Sequence, residues 1–343
     1  MELLFSQKID EQIKEKSLLV KDVNPPKGGI SIIVQNNAIK SVKDGEGWIH
    51  SQRKHSYVTF FDNLLSRHEI IDCNININLA DHPRSGFFNF CRLKSDAMHY
   101  FSPNFKKPRA TLRNLLLLLK GSSGQFLLPN SRFTADDVKI SPEVFKNDTF
   151  DDTTAYLQSK HHFYPFDQKF PRIYTSCVPH YSKLDYFKFA LENCFCDGYA
   201  YIGSVHGVKD ASSELVENLR RRGMAGNHFV PFLEHIKYKY VLYNDGNTLS
   251  DRLRLLLNLN SVILKKRSPY EEFYSYLLQN QVNYIEYSTE EELRRIFDFL
   301  EKSDEGFELS KRIIENNKKF ISNVLNYDNI MLYTSVLLNG LFS

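Results

Sequence analysis

The stretch best suited to chemistry runs from Glu234 to Tyr274. A strand-like run, Lys237–Tyr243, ends in the turn Asn244-Asp245-Gly246-Asn247, and a helix-like run, Leu249–Leu259, starts just beyond it. Thr248 or Ser250 can cap that helix, which puts Arg252 in its first turn. A helix start offers free backbone N–H groups and the positive end of the peptide dipole. Together with the Ser250 hydroxyl and the Arg252 guanidinium this suits a diphosphate. The same residues also read as an ordinary N-cap followed by a surface arginine. Glu271 and Glu272 follow the next strand-like run, Ser261–Lys265. They could accept hydrogen bonds from ribose or sugar hydroxyls, or simply be carboxylates favoured at a helix start.

These residues need a scaffold, and the chain supplies alternating strand and helix patterns, an α/β signature with parallel sheets. Strand-like stretches are Ile30–Val34, Ile70–Leu79, Phe87–Cys91, Arg172–Cys177, Gly198–Ile202, Lys237–Tyr243, Ser261–Lys265 and Asn283–Tyr287. Ser56–Phe61 fits a strand or the start of a helix. Helical stretches are Leu112–Lys120, Tyr181–Asn193, Ser212–Arg222, Leu249–Leu259, Glu290–Lys302, Phe307–Val324 and Asn329–Leu338, the last with Asp328 as its cap. A Pro-containing segment, Ser131–Arg172, ends in an inter-domain connection. The expected organisation is a first domain over 1–170, a second over 171–325 and a closing helix over 326–343.

Composition narrows the function classes. The 343 residues carry 44 Lys plus Arg against 41 Asp plus Glu, a net charge of +3, with 42% hydrophobic residues. That is a folded protein, not a disordered one, and not a dedicated nucleic-acid binder. The five cysteines form no C-x-x-C pair and read as buried thiols in a reducing compartment. The N-terminus shows no secretory pattern and no apolar run is long enough to span a membrane. The expectation is a cytoplasmic protein, with room for peripheral contact at the inner membrane. No Asp-x-Asp occurs, so no carboxylate pair of the kind that holds Mg²⁺ or Mn²⁺ is expected, and no metal or other cofactor. Without metal, a leaving diphosphate must be neutralised by cations such as Arg252. No G-x-G-x-x-G follows an early strand, which ranks a dehydrogenase or epimerase last.

The region from about Arg172 to Leu338 resembles glycosyltransferase family 90, and within it the bacterial lipopolysaccharide-core transferases of the LpsA type. The matching features are His235-x-Lys237-Tyr238-Lys239-Tyr240, Gly246, Ser250-x-Arg252, Ser261-Val262-Ile263-Leu264, Ser268-Pro269-Tyr270-Glu271 with Phe273-Tyr274, and Tyr284-Ile285. In the N-terminal half, Asn78-Leu79-Ala80-Asp81-His82-Pro83 followed by Gly86-Phe87-Phe88-Asn89-Phe90-Cys91 is similar to the family's strand, Asp-x-Pro turn and following strand. The resemblance implies that Asp81 is the catalytic base. Its place after a strand end agrees with that role, and also with an Asp that stabilises its own turn before Pro83. His82 is the weaker candidate. Many relatives carry an Arg-Gly-Ser stretch for the nucleotide. Here the strand end reads Tyr174-Thr175-Ser176-Cys177, with Lys183 downstream, so Ser176 and Lys183 stand where that arginine contact would be.

What the resemblance implies is a GT-B arrangement, two Rossmann-like domains facing a cleft. The implied activity is inverting, metal-independent transfer of a hexose, glucose or galactose, from a UDP-sugar to a hydroxyl of the lipopolysaccharide or lipooligosaccharide inner core. Ser250, Arg252, Ser176, Lys183, Glu271 and Gly246 are the implied donor-site residues. The alternative is a catalytically silent relative that binds sugar or acts as a scaffold.

Overall fold

The computed structural model describes residues 2–16, 19, 25–47, 51–79, 87–89, 92–93, 125–127, 150–179, 181–203, 211–228, 230–246, 249–250 and 252–343. In chain order the first elements are α1 (Glu2–Lys14), β1 (Gly29–Gln35), β2 (Ala38–Asp44), α2 (Ser51–Leu65), β3 (Cys73–Asn78), β4 (Phe87–Asn89), β5 (Arg92–Leu93), β6 (Gln125–Leu127) and α3 (Phe150–Ser159). Next come β7 (Phe170–Cys177), α4 (Tyr181–Glu192), β8 (Cys196–Tyr201), α5 (Ser213–Arg221), β9 (Ala225–Gly226), β10 (Tyr238–Tyr243), α6 (Leu253–Leu256) and β11 (Val262–Lys266). The chain closes with β12 (Tyr270–Glu271), β13 (Ile285–Tyr287), α7 (Glu290–Lys302), α8 (Asp304–Asn323) and α9 (Tyr327–Phe342). They form two compact units. One holds Met1–Asp136, Pro269–Leu277 and Val324–Ser343, and the other Asp137–Ser268 and Leu278–Asn323.

The second unit is built on a sheet of order β13-β11-β10-β7-β8-β9 in which every pairing is parallel. Its central strands are buried on both faces: Val241, Leu242, Val262, Ile263 and Leu264 are all at most 1% exposed. That is why they read as continuous apolar runs and not as alternating ones. From β7 the chain steps outward to β8 and β9, then returns to the other side of β7 for β10, β11 and β13. This is the doubly wound order, with its switch point between β7 and β10. One face packs against α4, α5, α7 and α8, joining Ile173, Tyr240, Leu242, Leu264 and Tyr287 to Phe187, Leu219, Leu293 and Ile313. Helix α7 has the bounds read from the sequence. Thr289 caps it, accepting from the Glu292 N–H at 3.2 Å.

The first unit has a mixed sheet, order β2-β1-β3-β4-β6, with β1 antiparallel to β2 and β3, and parallel pairing from β3 onward. Strand β2 escaped sequence reading because its side chains are half-buried or exposed. The β1–β2 hairpin turns through Asn36 and Asn37 at φ 51° and 52°, a left-handed pair that asparagine tolerates. Ile30, Ile32, Val34, Ile75 and Ile77 are its fully buried apolar positions. Phe5 of α1, Phe273 and Tyr333 of α9 form a ring cluster with centroids 4.9–6.0 Å apart, and Gln12 donates to the Tyr333 hydroxyl at 2.8 Å.

Two local expectations need correction. The helix expected over Leu249–Leu259 is the single turn α6. Leu253, Leu255, Leu256, Leu257 and Leu259 are all buried, so the segment has no solvent face to sustain an amphipathic helix, and Asn260 leaves it at φ 54°. Helix α9 is capped by Asn326, whose side chain accepts from the Asn329 N–H at 3.0 Å. Asp328 instead meets Arg67 at 2.8 Å. The expected helix Leu112–Lys120 and the turn holding Asp81 and His82 lie outside the described residues.

Candidate functional site

In β7, Ile173 faces the helical core, so Ser176 falls on the opposite face near the strand's carboxyl end. There the Ser176 carbonyl accepts from Arg252 Nη1 at 2.6 Å, and its N–H donates to His235 Nε2 at 3.2 Å. Arg252 Nε donates to Ser250 Oγ at 3.2 Å. Tyr243, the last residue of β10, donates its hydroxyl to the Ser250 carbonyl at 2.7 Å. Three residues singled out from the sequence are thus drawn together at the carboxyl ends of the two strands flanking the switch point. Open α/β sheets bind ligands there, because the strand-end loops diverge and leave a crevice.

The helix-start argument does not survive, since α6 is one turn long and Ser250 caps nothing. The guanidinium replaces it. Its Nε and Nη1 are spent on holding it in place. Its Nη2 is buried and has no acceptor among the described residues. A fixed cation with an open planar donor suits an anionic oxygen.

His235 belongs to the two-turn 3₁₀ helix Phe232–Lys237 and is 1% exposed. Nδ1 donates to the Phe232 carbonyl at 2.8 Å while Nε2 accepts from Ser176, which requires the neutral ring. Burial, reinforced by the Arg252 charge, pushes its pKa down to about 3 against the pull of the Phe232 bond. His235 therefore acts as a neutral acceptor that sets the Ser176 peptide, and through it Arg252. Sequence reading treated it only as part of a motif. Its position just before a strand was the available signal.

The other candidates are placed as follows. Lys183 is buried in the first turn of α4, just beyond β7. Gly246 follows β10, and a Cβ there would meet nothing within 4 Å, so the space beside it is open. Glu271 belongs to the first unit, where it pairs with the buried Lys8 at 2.8 Å. Its neighbour Glu272 is buried and accepts from Tyr274 at 2.6 Å. Asp81 lies outside the described residues. Among the described residues no group of three His, Cys, Asp or Glu side chains could hold a metal ion, and no helix is long and apolar enough to cross a membrane.

Residues 203–341, which carry Ser250, Arg252 and His235, match the family model "Glycosyl transferase family 90". The match covers the second unit's carboxyl-terminal part and the closing helix, less than half of the chain. Ser250, Arg252 and His235 lie inside the matched region, and Ser176, whose carbonyl holds Arg252, lies before it. Among solved structures, the chain is similar to a glycosyltransferase from Rickettsia africae ESF-5, at 12% identity over 73% of this chain and 70% of that one, with a TM-score of 0.40. It is also similar to Anabaena Alr3699/HepE in complex with UDP and glucose, at 11% identity over 82% and 74%, with a TM-score of 0.41. No curated protein matches the chain.

Proposed function

We propose that this family 90 glycosyltransferase moves a hexose, glucose or galactose, from a UDP-sugar to a hydroxyl of the lipopolysaccharide or lipooligosaccharide inner core, at the cytoplasmic face of the inner membrane. The observation that carries the donor half is the Ser176–Arg252–Ser250 cluster at the switch point, with Nη2 left open for a phosphate oxygen. Arg252 neutralises the leaving diphosphate, which makes metal unnecessary. Asp81 takes the proton of the acceptor hydroxyl as its oxygen attacks the anomeric carbon from the side opposite UDP. One displacement inverts that carbon. The acceptor follows from the resemblance of the motifs and not from the donor-site geometry.

Calorimetric titration of UDP into the wild type and Arg252→Ala tests the donor half. Losing a charge-assisted bond to phosphate weakens binding by about 1.5–3 kcal/mol, roughly 10- to 150-fold. Equal affinity in a folded Arg252→Ala variant would place the diphosphate elsewhere. Measurable UDP binding with no turnover of UDP-glucose or UDP-galactose on core oligosaccharide would support the silent-relative alternative instead.

A further inference from the structure

A second buried donor without an acceptor lies at the same edge of the parallel sheet: Asn244 Nδ2. Asn244 follows β10 directly and is 2% exposed. Its Oδ1 accepts from the Tyr287 hydroxyl at 2.6 Å. That bond holds the carboxamide with its NH₂ end turned away from Tyr287, which is itself locked in the helical core. Tyr240 and Leu242 face that core, so the two-residue period carries Asn244 along the same face past the strand end. Strands β7 and β10 pair with Tyr240 opposite Ile173 and Val241 opposite Tyr174. Continuing that register sets Asn244 level with Cys177, the last residue of β7.

Arg252 reaches the Ser176 carbonyl, one residue earlier on β7. Asn244, at the exit of β10, and Arg252, held on the backbone at the end of β7, therefore both lie at the carboxyl ends of the two switch-point strands. Each keeps a buried nitrogen with no hydrogen-bond partner among the described residues. Folded proteins leave few buried polar groups unmet, and each such group calls for a partner. Both groups are donors, so the ligand they fit presents acceptor oxygens.

We propose that Asn244, oriented by Tyr287, is a second anchor for the donor's diphosphate, giving a neutral N–H···O bond to a phosphate oxygen while Arg252 supplies the charge. This rests on the UDP-sugar reading above. Asn244→Asp keeps the shape and the Tyr287 bond but puts an anionic oxygen where the NH₂ was. UDP binding should fall roughly 10- to 100-fold. The paired change Asn244→Leu with Tyr287→Phe replaces both partners by apolar groups and leaves no orphan, so it should melt near the wild type. It should still bind UDP about tenfold more weakly, and it carries the test if Asn244→Asp fails to fold. A purely structural pair, or one whose open N–H holds a buried water, predicts wild-type UDP affinity in the folded double variant, and that result overturns the proposal. If the wild type does not bind UDP, or Arg252→Ala binds it equally well, the parent reading falls. If Arg252→Ala loses UDP and the Asn244 variants keep it, only the role of Asn244 falls.

Discussion

Lowering the pH should destabilise this protein through His235 in particular. The ring is neutral when folded, with its pKa pushed down to about 3, whereas in the unfolded chain it titrates near the ordinary histidine value of 6.5. Between those values the unfolded state binds a proton that the folded state refuses. Stability therefore rises with pH across that window and is lost as pH falls through it. The slope is about 1.4 kcal/mol per pH unit, so moving from neutral pH to pH 5 should cost about 2 kcal/mol from this residue alone. The perturbation is His235→Gln, whose amide can still donate toward Phe232 and accept from Ser176 but cannot titrate. Urea unfolding at pH 7.5, 6.5, 5.5 and 5.0 for both proteins gives the assay. The variant should be less stable at pH 7.5, because an amide cannot reach both partners as well as the ring does. Its stability should also fall less steeply with acid, by about 2 kcal/mol over the range. His161, whose pKa is also lowered by burial, is common to both proteins and cancels in the difference. Parallel pH profiles would refute the reasoning, because they would mean that His235 takes its proton as readily folded as unfolded.

Three further outcomes are expected. Arg252→Ala should lose UDP affinity as described above, and its His235 should take up protons at higher pH once the neighbouring cation is gone, which NMR titration of the ring would detect. Asp81→Asn should lower turnover by about 10²- to 10⁴-fold while leaving UDP binding intact, and near-normal turnover in a folded variant would exclude Asp81 as the base. Gly226→Ala should destabilise by about 1–3 kcal/mol in a thermal or urea melt. Its Cβ would lie 2.0 Å from the Tyr199 hydroxyl and push that group off His228 Nδ1, now 3.0 Å away.

The sequence alone determined the pieces whose causes are local. Parallel strands buried on both faces leave continuous apolar runs, which is why β10 and β11 were legible from Lys237–Tyr243 and Ser261–Lys265. Helix α7 was legible to the residue because its apolar period and its Thr289 cap are written within one segment. Ser250 and Arg252 were singled out from charge and spacing after a strand, and Ser176 from the resemblance of its strand end. Tertiary structure decided the rest. Arg252 acts on a carbonyl 76 residues away because β7 and β10 adjoin, and no local pattern encodes that adjacency. The same adjacency turns His235 from a motif letter into a neutral acceptor. The leucines from Leu253 to Leu259 are buried on all sides, which shortened a helix that propensity favoured. Glu271, two residues beyond a strand-end loop of the second unit, belongs with Lys8 in the first, because the chain leaves one fold for the other between Ser268 and Pro269. Asn244 looked like a turn residue; only its buried bond to Tyr287, 43 residues on, distinguishes it from any other asparagine after a strand.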